Sequence, residues 1–250
     1  QLKTFLFRLI EKLTVRSSDG IVVLSPLSIT YLKDLYHYPE GLILFLPNGV
    51  TDNFFREVNQ KFEGPIKISY VGGIDLVHGL DFLVELAREL DGTNIEFHIY
   101  GDGKERSSLE NNAHAYNLNN INFHGSVPKA DVPDVLNKAN LLFVSTSNVL
   151  YGSENKLYEY MAAGKPIVVA SAGNHNNPVE IVDCGVSLNR DDVKEAAQTL
   201  SEFIIKQASN FAIFGKNGQD YAHNNRRLDV LGKDLENFLT NIKDSFNDRA

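Results

Sequence analysis

Apolar positions along this chain follow two rhythms, one helical and one continuous. Leu2, Phe5, Leu6, Leu9, Ile10 and Leu13 recur at helical spacing, with Lys3, Arg8, Lys12 and Arg16 on the remaining surface, which predicts an amphipathic helix. A basic helix with Phe and Leu on its other face suits an anionic membrane surface as well as a domain core. The core reading is preferred, because most such helices in soluble chains are packing elements. Asp19-Gly20 then opens a strand over residues 21–24, closed by Ser25-Pro26. A helix from about Ser28 to Tyr36 leads into a second apolar run at 42–46, completing a βαβ unit. Pro47-Asn48-Gly49-Val50 reads as a turn, and the charged stretch 51–65, which lacks periodicity, as a linker.

From Ile66 the rhythm becomes strand, helix, strand. Apolar runs at 68–71, 95–100, 121–124, 141–145, 167–170 and 185–188 predict strands. Leu80, Leu83, Val84, Ala87 and Leu90 keep helical spacing, and helices are expected at about 104–116 and 131–138. The part from about Asp191 to Phe246 is helical in pattern. Alternating helices and near-continuous apolar strands predict an α/β fold with a Rossmann-like parallel sheet covered on both faces. Ligands of such sheets bind beyond the carboxyl ends of the strands. Glycines gather there: Gly72-Gly73, Gly101-Asp102-Gly103, Gly125 and Gly173. They serve close approach to a ligand and tight turning equally well. The run Gly101-x-Gly103 carries Arg106 where a dinucleotide fingerprint has its third glycine, so it is weak as a cofactor motif.

The stretch around which the chain is organised is 153–166. Ser153 is suited to cap a short helix with Leu157, Met161 and Ala162 on one face, ended by Gly164 and Pro166. The first free N–H groups of that helix, at Glu154, Asn155 and Lys156, together with the Lys156 charge, suit a phosphate. Glu159 shares the face of Lys156, and a carboxylate there accepts from vicinal hydroxyls. Phosphate plus diol describes a nucleotide. The plainer reading, an N-capped helix with Lys156 and Glu159 as a surface pair, has equal standing on the motif alone.

Composition narrows the field. With 250 residues, 43% of them hydrophobic, the chain can bury one large core or two smaller ones. A net charge of −8 and the absence of a basic run argue against a nucleic-acid partner. The single cysteine, Cys184, excludes an internal disulfide and a cysteine-based zinc cluster, fits a reducing compartment, and reads as a buried small residue. No His, Asp and Glu cluster has metal-ligand spacing, so no metal is expected. No segment has the apolar length of a membrane span or the pattern of a cleavable signal, which predicts a cytoplasmic protein. Met161 is the only methionine and Gln1 opens inside a helical pattern, which suggests a fragment or a processed product.

Taken together, Pro47-Asn48-Gly49-Val50, Tyr70-Val71-Gly72-Gly73, Tyr100-Gly101-Asp102-Gly103, Phe123-His124-Gly125-Ser126-Val127 and the run from Asn155 to Pro166 resemble the large retaining glycosyltransferase family of the GT-B fold. Within it the resemblance is to bacterial surface-polysaccharide enzymes. It implies two facing Rossmann-like domains, the second holding a nucleotide-sugar donor. Residues 1–50 would be the incomplete end of the acceptor-side domain, 51–65 the linker, 66–222 the donor-binding domain and 223–250 a helix crossing back. Most of the N-terminal domain would be missing. The family pattern maps base recognition to the backbone near Val127, the diphosphate to Asn155, Lys156 and Leu157, and the ribose hydroxyls to Glu159. Gly72, Gly73, His78, Gly101 and Glu154 complete the donor site it implies. Gly73 and His78 stand where the commoner pattern has Arg and Lys, and Tyr151 where it has the first of two glutamates.

The resemblance implies transfer of a sugar from a nucleoside diphosphate sugar to a saccharide or lipid-linked acceptor, with retention, in surface polysaccharide biosynthesis. Lys156 and Glu159 would carry the chemistry, the helix N-terminus and Lys156 standing in for a metal. Peripheral association with the inner face of a membrane is a further expectation. Two other readings remain: a nucleotide-sugar epimerase of the same shape, and a non-catalytic nucleotide-sugar-binding subunit. An unpaired edge at 21–24 or 42–46 would offer a dimer contact.

Overall fold

The computed structural model describes residues 2–58, 64–146, 155–171 and 178–247, which fall into two compact units. The smaller begins with α1 (Leu2–Ser17), β1 (Ile21–Val23), α2 (Pro26–Tyr36) and β2 (Ile43–Phe45). The strands β1 and β2 pair with each other in parallel, Ile21 opposite Ile43 and Val23 opposite Phe45. Helix α2 starts earlier than its apolar spacing suggests. The Ser25 hydroxyl accepts from the Leu27 N–H at 3.3 Å and Pro26 occupies the first turn, so the residues that end the strand also begin the helix. Val15, Val23, Leu32 and Tyr38 form a small buried cluster. The rest of the apolar face of α1 is not taken up in this way: Phe5, Leu6, Phe7, Leu9, Ile10 and Leu13 stay 43–72% exposed.

The larger unit holds β3 (Ile66–Val71), α3 (Asp81–Glu89), β4 (Ile95–Tyr100), α4 (Arg106–Ala115), β5 (Ile121–Gly125), α5 (Val132–Asn137), β6 (Leu141–Thr146), α6 (Asn155–Ala162), β7 (Ile167–Ser171), α7 (Pro178–Val182), β8 (Gly185–Asn189), α8 (Val193–Gln207) and α9 (Phe211–Asn225). Its six strands form one parallel sheet in the order β5-β4-β3-β6-β7-β8. The sheet is buried on both faces. Alternate residues of β6 and β7 feed two cores: Leu141, Phe143, Val168 and Ala170 join the side chains of α3, α4 and α8, while Leu142, Val144, Ile167 and Val169 join those of α5, α6 and α7. That two-sided burial is why these strands read as unbroken apolar runs. The last helix, α10 (Leu228–Asn247), belongs to the smaller unit, where Phe238 and Ile242 lie against Gly20.

Two features depart from the sequence pattern. Helix α7 was not anticipated, because five residues are too few to display a helical period. Val50 and Phe54, at the edge of the supposed linker, are buried in the core of the larger unit. The Gln219 side chain fastens this segment further, donating to the carbonyls of Arg56 at 2.6 Å and Ala162 at 3.0 Å. Two anchoring side chains in a polar stretch leave no periodicity to detect.

Candidate functional site

The strand order reverses direction between β3 and β6, and a parallel sheet opens a crevice at such a switch point, beyond the carboxyl ends of its strands. The opening is visible in the register. Strands β3 and β6 are matched only at Ile68 with Leu141 and Ser69 with Leu142, although β6 runs on beside β7 to Thr146. Val71 therefore lies past the last matched pair, with its backbone turned toward a strand that has moved away. Tyr160 of α6 fills that place. Its hydroxyl accepts from the Val71 N–H at 2.8 Å and donates to the Val71 carbonyl at 3.1 Å. Burial raises the Tyr160 pKa well above the usual phenol range, so the hydroxyl keeps its proton. The side chain thus ties the last turn of α6 to the end of β3, one wall of the crevice to the other.

On this scaffold the first turn of α6 brings Lys156 over the loop after β3. Its ammonium donates to the Tyr70 hydroxyl at 2.7 Å and lies 4.2 Å from the centre of the Tyr70 ring. Tyr70 in turn donates to the Gly73 carbonyl at 2.6 Å. Gly72 leaves the room: a Cβ there would stand 2.6 Å from the Lys156 Nζ. Gly72 and Gly101 have φ of 156° and 150°, and a Cβ on Gly101 would overlap the Gly72 carbonyl oxygen. Two strand ends approach each other there more closely than side chains permit. The Gly101 N–H donates to the Gly125 carbonyl at 2.7 Å, so the ends of β3, β4 and β5 are linked in series.

His78 closes a 3₁₀ turn, Leu76–His78, with its ring 6.4 Å from that of Tyr70. Burial lowers its pKa below the usual imidazole range, the Lys156 charge lowers it further, and Asp75 opposes both. His78 is therefore neutral at neutral pH, and with glycine at position 73 the loop holds no fixed cation; Lys156 supplies it. Glu159, one turn along α6, is half-buried. Burial raises its pKa while Lys129 and Lys156 pull the other way, which brings a lysine of the turn Lys129–Asp131 into the same electrostatic neighbourhood. Val127, half-buried, lies just before that turn.

Lys156, Gly72, Gly73 and His78 thus converge around Tyr70, and Gly101 is joined to them through Gly72. Leu157 is 1% exposed and packs into the core. Asn155 is the first residue of α6, while Glu154, Ser153 and Tyr151 lie outside the described residues. Sequence reasoning missed Tyr70 and Tyr160 as working parts. Their only signal was a phenol in an otherwise apolar segment, which asks for a hydrogen-bond partner once buried. It also gave Arg106 no place: the guanidinium bonds Glu110 at 2.7 Å beside Gly125. Cys184 is buried and free, its pKa pushed up to about 12 chiefly by burial, as a small core residue should be. Among the described residues no group of three or more His, Cys, Asp or Glu is arranged to hold a metal ion, and no helix is long and apolar enough to cross a membrane.

Comparison with known proteins points to one family. In fold, the chain matches HepE of Anabaena, solved with UDP and glucose, with a TM-score of 0.73 at 17% identity over 94% of this chain and 66% of that one. It matches sucrose-phosphate synthase of Thermosynechococcus elongatus with a TM-score of 0.76 at 18% identity, over 95% of this chain and 61% of that one. In sequence it is 23% identical to an uncharacterized glycosyltransferase of Methanocaldococcus jannaschii over 213 residues, 84% of this chain and 56% of the relative. The chain thus spans 56–66% of the length of these proteins. The family model described as Glycosyl transferases group 1 matches residues 51–221, which is more than half of the chain and contains the whole crevice. The two-sided parallel sheet, the switch-point crevice and this match agree, and the chain belongs to the group 1 glycosyl transferases.

Proposed function

We propose that this chain carries the donor-binding part of a retaining glycosyltransferase that moves a sugar from a nucleoside diphosphate sugar to a saccharide or lipid-linked acceptor in surface polysaccharide synthesis. The observation that supports this most is the position of Lys156, a cation at a helix N-terminus held over a loop whose backbone is bared by Gly72 and Gly73. Backbone N–H groups and a fixed charge at one point suit a diphosphate, and they stabilise it as it leaves, when its charge grows. Glu159 lies one turn away, within reach of a ribose diol, and its partial burial favours hydrogen bonding over full solvation. The acceptor hydroxyl would attack the face from which the diphosphate departs. Lys156 and the helix end take the part of a metal in this scheme.

HepE is described with UDP and with UDP-glucose, so UDP is the first probe. Calorimetry of the chain against UDP, GDP, NAD and ATP should find one nucleoside diphosphate that binds. Lys156→Ala should weaken it about ten- to a hundredfold, the worth of a charge-assisted hydrogen bond, and Glu159→Ala should weaken it as well. Binding that ignores both substitutions would refute the reading. The exposed apolar residues of α1, flanked by exposed Lys3, Arg8, Lys12 and Arg16, also support work at a membrane surface, where lipid-linked acceptors lie. Cosedimentation with anionic vesicles at low salt tests this; a chain that stays in the supernatant refutes it.

A further inference from the structure

We propose that Tyr70 is a positioning residue that acts through Lys156: its hydroxyl selects the one ammonium position from which the lysine meets the diphosphate. This rests on the donor-site reading above. A lysine at the start of a helix has four rotatable bonds and, left to itself, distributes its charge over many positions. Here Tyr70 gives the charge an address. The Tyr70 side chain is 1% exposed, and its hydroxyl proton is directed to the Gly73 carbonyl at 2.6 Å. An ammonium only donates, so the 2.7 Å contact between Lys156 and Tyr70 runs from lysine to the phenol oxygen, whose direction the Gly73 bond has set. The ring face adds cation–π attraction at 4.2 Å, and the missing side chain of Gly72 gives the ammonium its place beside the loop backbone. One phenol therefore sets both the Gly73 carbonyl and the lysine charge. Phenylalanine at position 70 would keep the ring and the packing and lose the oxygen alone.

The test is a double-mutant cycle on the 250-residue chain, with UDP as the probe, or GDP where GDP binds more tightly. Tyr70→Phe should weaken the nucleotide about three- to tenfold when Lys156 is present. In a Lys156→Met background the same change should alter affinity by less than about twofold, because the residue through which it acts is gone. An equal loss in both backgrounds would mean that the phenol acts through the Gly73 loop, and would overturn the inference. So would a Tyr70→Phe protein that binds as the parent does while Lys156→Met binds weakly. If neither nucleotide binds the parent, the donor-site reading fails and takes this inference with it. Should Tyr70→Phe fail to fold, as read by circular dichroism, Tyr70→Leu replaces it in the cycle. It also removes the phenol oxygen that receives Lys156, and the same non-additivity is expected.

Discussion

Replacing Tyr160 by phenylalanine removes one oxygen atom from the core and nothing else. In the folded protein that oxygen serves two backbone groups, the N–H and the carbonyl of Val71, at 2.8 and 3.1 Å. Tyr160 is 1% and Val71 8% exposed, so neither group has ready access to bulk water once the hydroxyl is gone. A buried polar group left without a partner costs about 1–3 kcal/mol. Two of them, with some relief from local adjustment, set the expected loss at about 2–4 kcal/mol. The ring stays, so no cavity forms and the packing contribution is unchanged. Urea unfolding followed by circular dichroism reads the loss as a lower midpoint with an unaltered slope. Hydrogen exchange adds a local readout: the Val71 amide should exchange faster than its neighbours in β3. A loss below about 0.5 kcal/mol with an unchanged Val71 amide would refute the view that Tyr160 completes the strand where β6 departs, since surface substitutions alone reach that size.

Two other outcomes follow from the same end of the sheet. Glu96, His98 and His124 form a chain, with His98 Nε2 3.2 Å from the Glu96 carboxylate and His98 Nδ1 2.9 Å from His124 Nε2. The carboxylate accepts, so His98 carries its proton on Nε2 and accepts from His124 on Nδ1, which requires a neutral His98 ring. Burial lowers both pKa values; Lys67 adds to the effect at His98 while Glu96 opposes it, and His98 adds to it at His124. Histidines with depressed folded pKa values bind fewer protons than in the unfolded chain, so their full contribution is present above about pH 6.5 and is lost as pH falls through the folded values. The melting midpoint should therefore drop on acidification below that point, and His124→Asn should flatten the slope; an unchanged slope refutes the assignment. Gly101→Ala should cost about 2–4 kcal/mol in urea unfolding, because its Cβ meets the Gly72 carbonyl at a positive φ. A cost under about 1 kcal/mol would show that the two strand ends can separate.

By itself the sequence determined the alternation of strands and helices, since two-sided burial requires unbroken apolar runs such as those of β6 and β7. It also determined the end of α6, where Gly164 takes a φ of 68° and Pro166 prevents continuation. Lys156 was legible as an anion-binding candidate because a cation in a first helical turn is a local pattern. Local patterns stop there. Which strands would neighbour one another, and hence that β3 and β6 would separate beyond Ser69, depends on contacts between segments more than 70 residues apart. Only the tertiary structure could decide that Tyr160 would complete β3 or that Tyr70 would receive Lys156, since neither phenol differs in sequence from an ordinary core aromatic. The same holds for the charge on His78: its protonation is set by burial and by a lysine 78 residues away, neither of which a linear pattern contains.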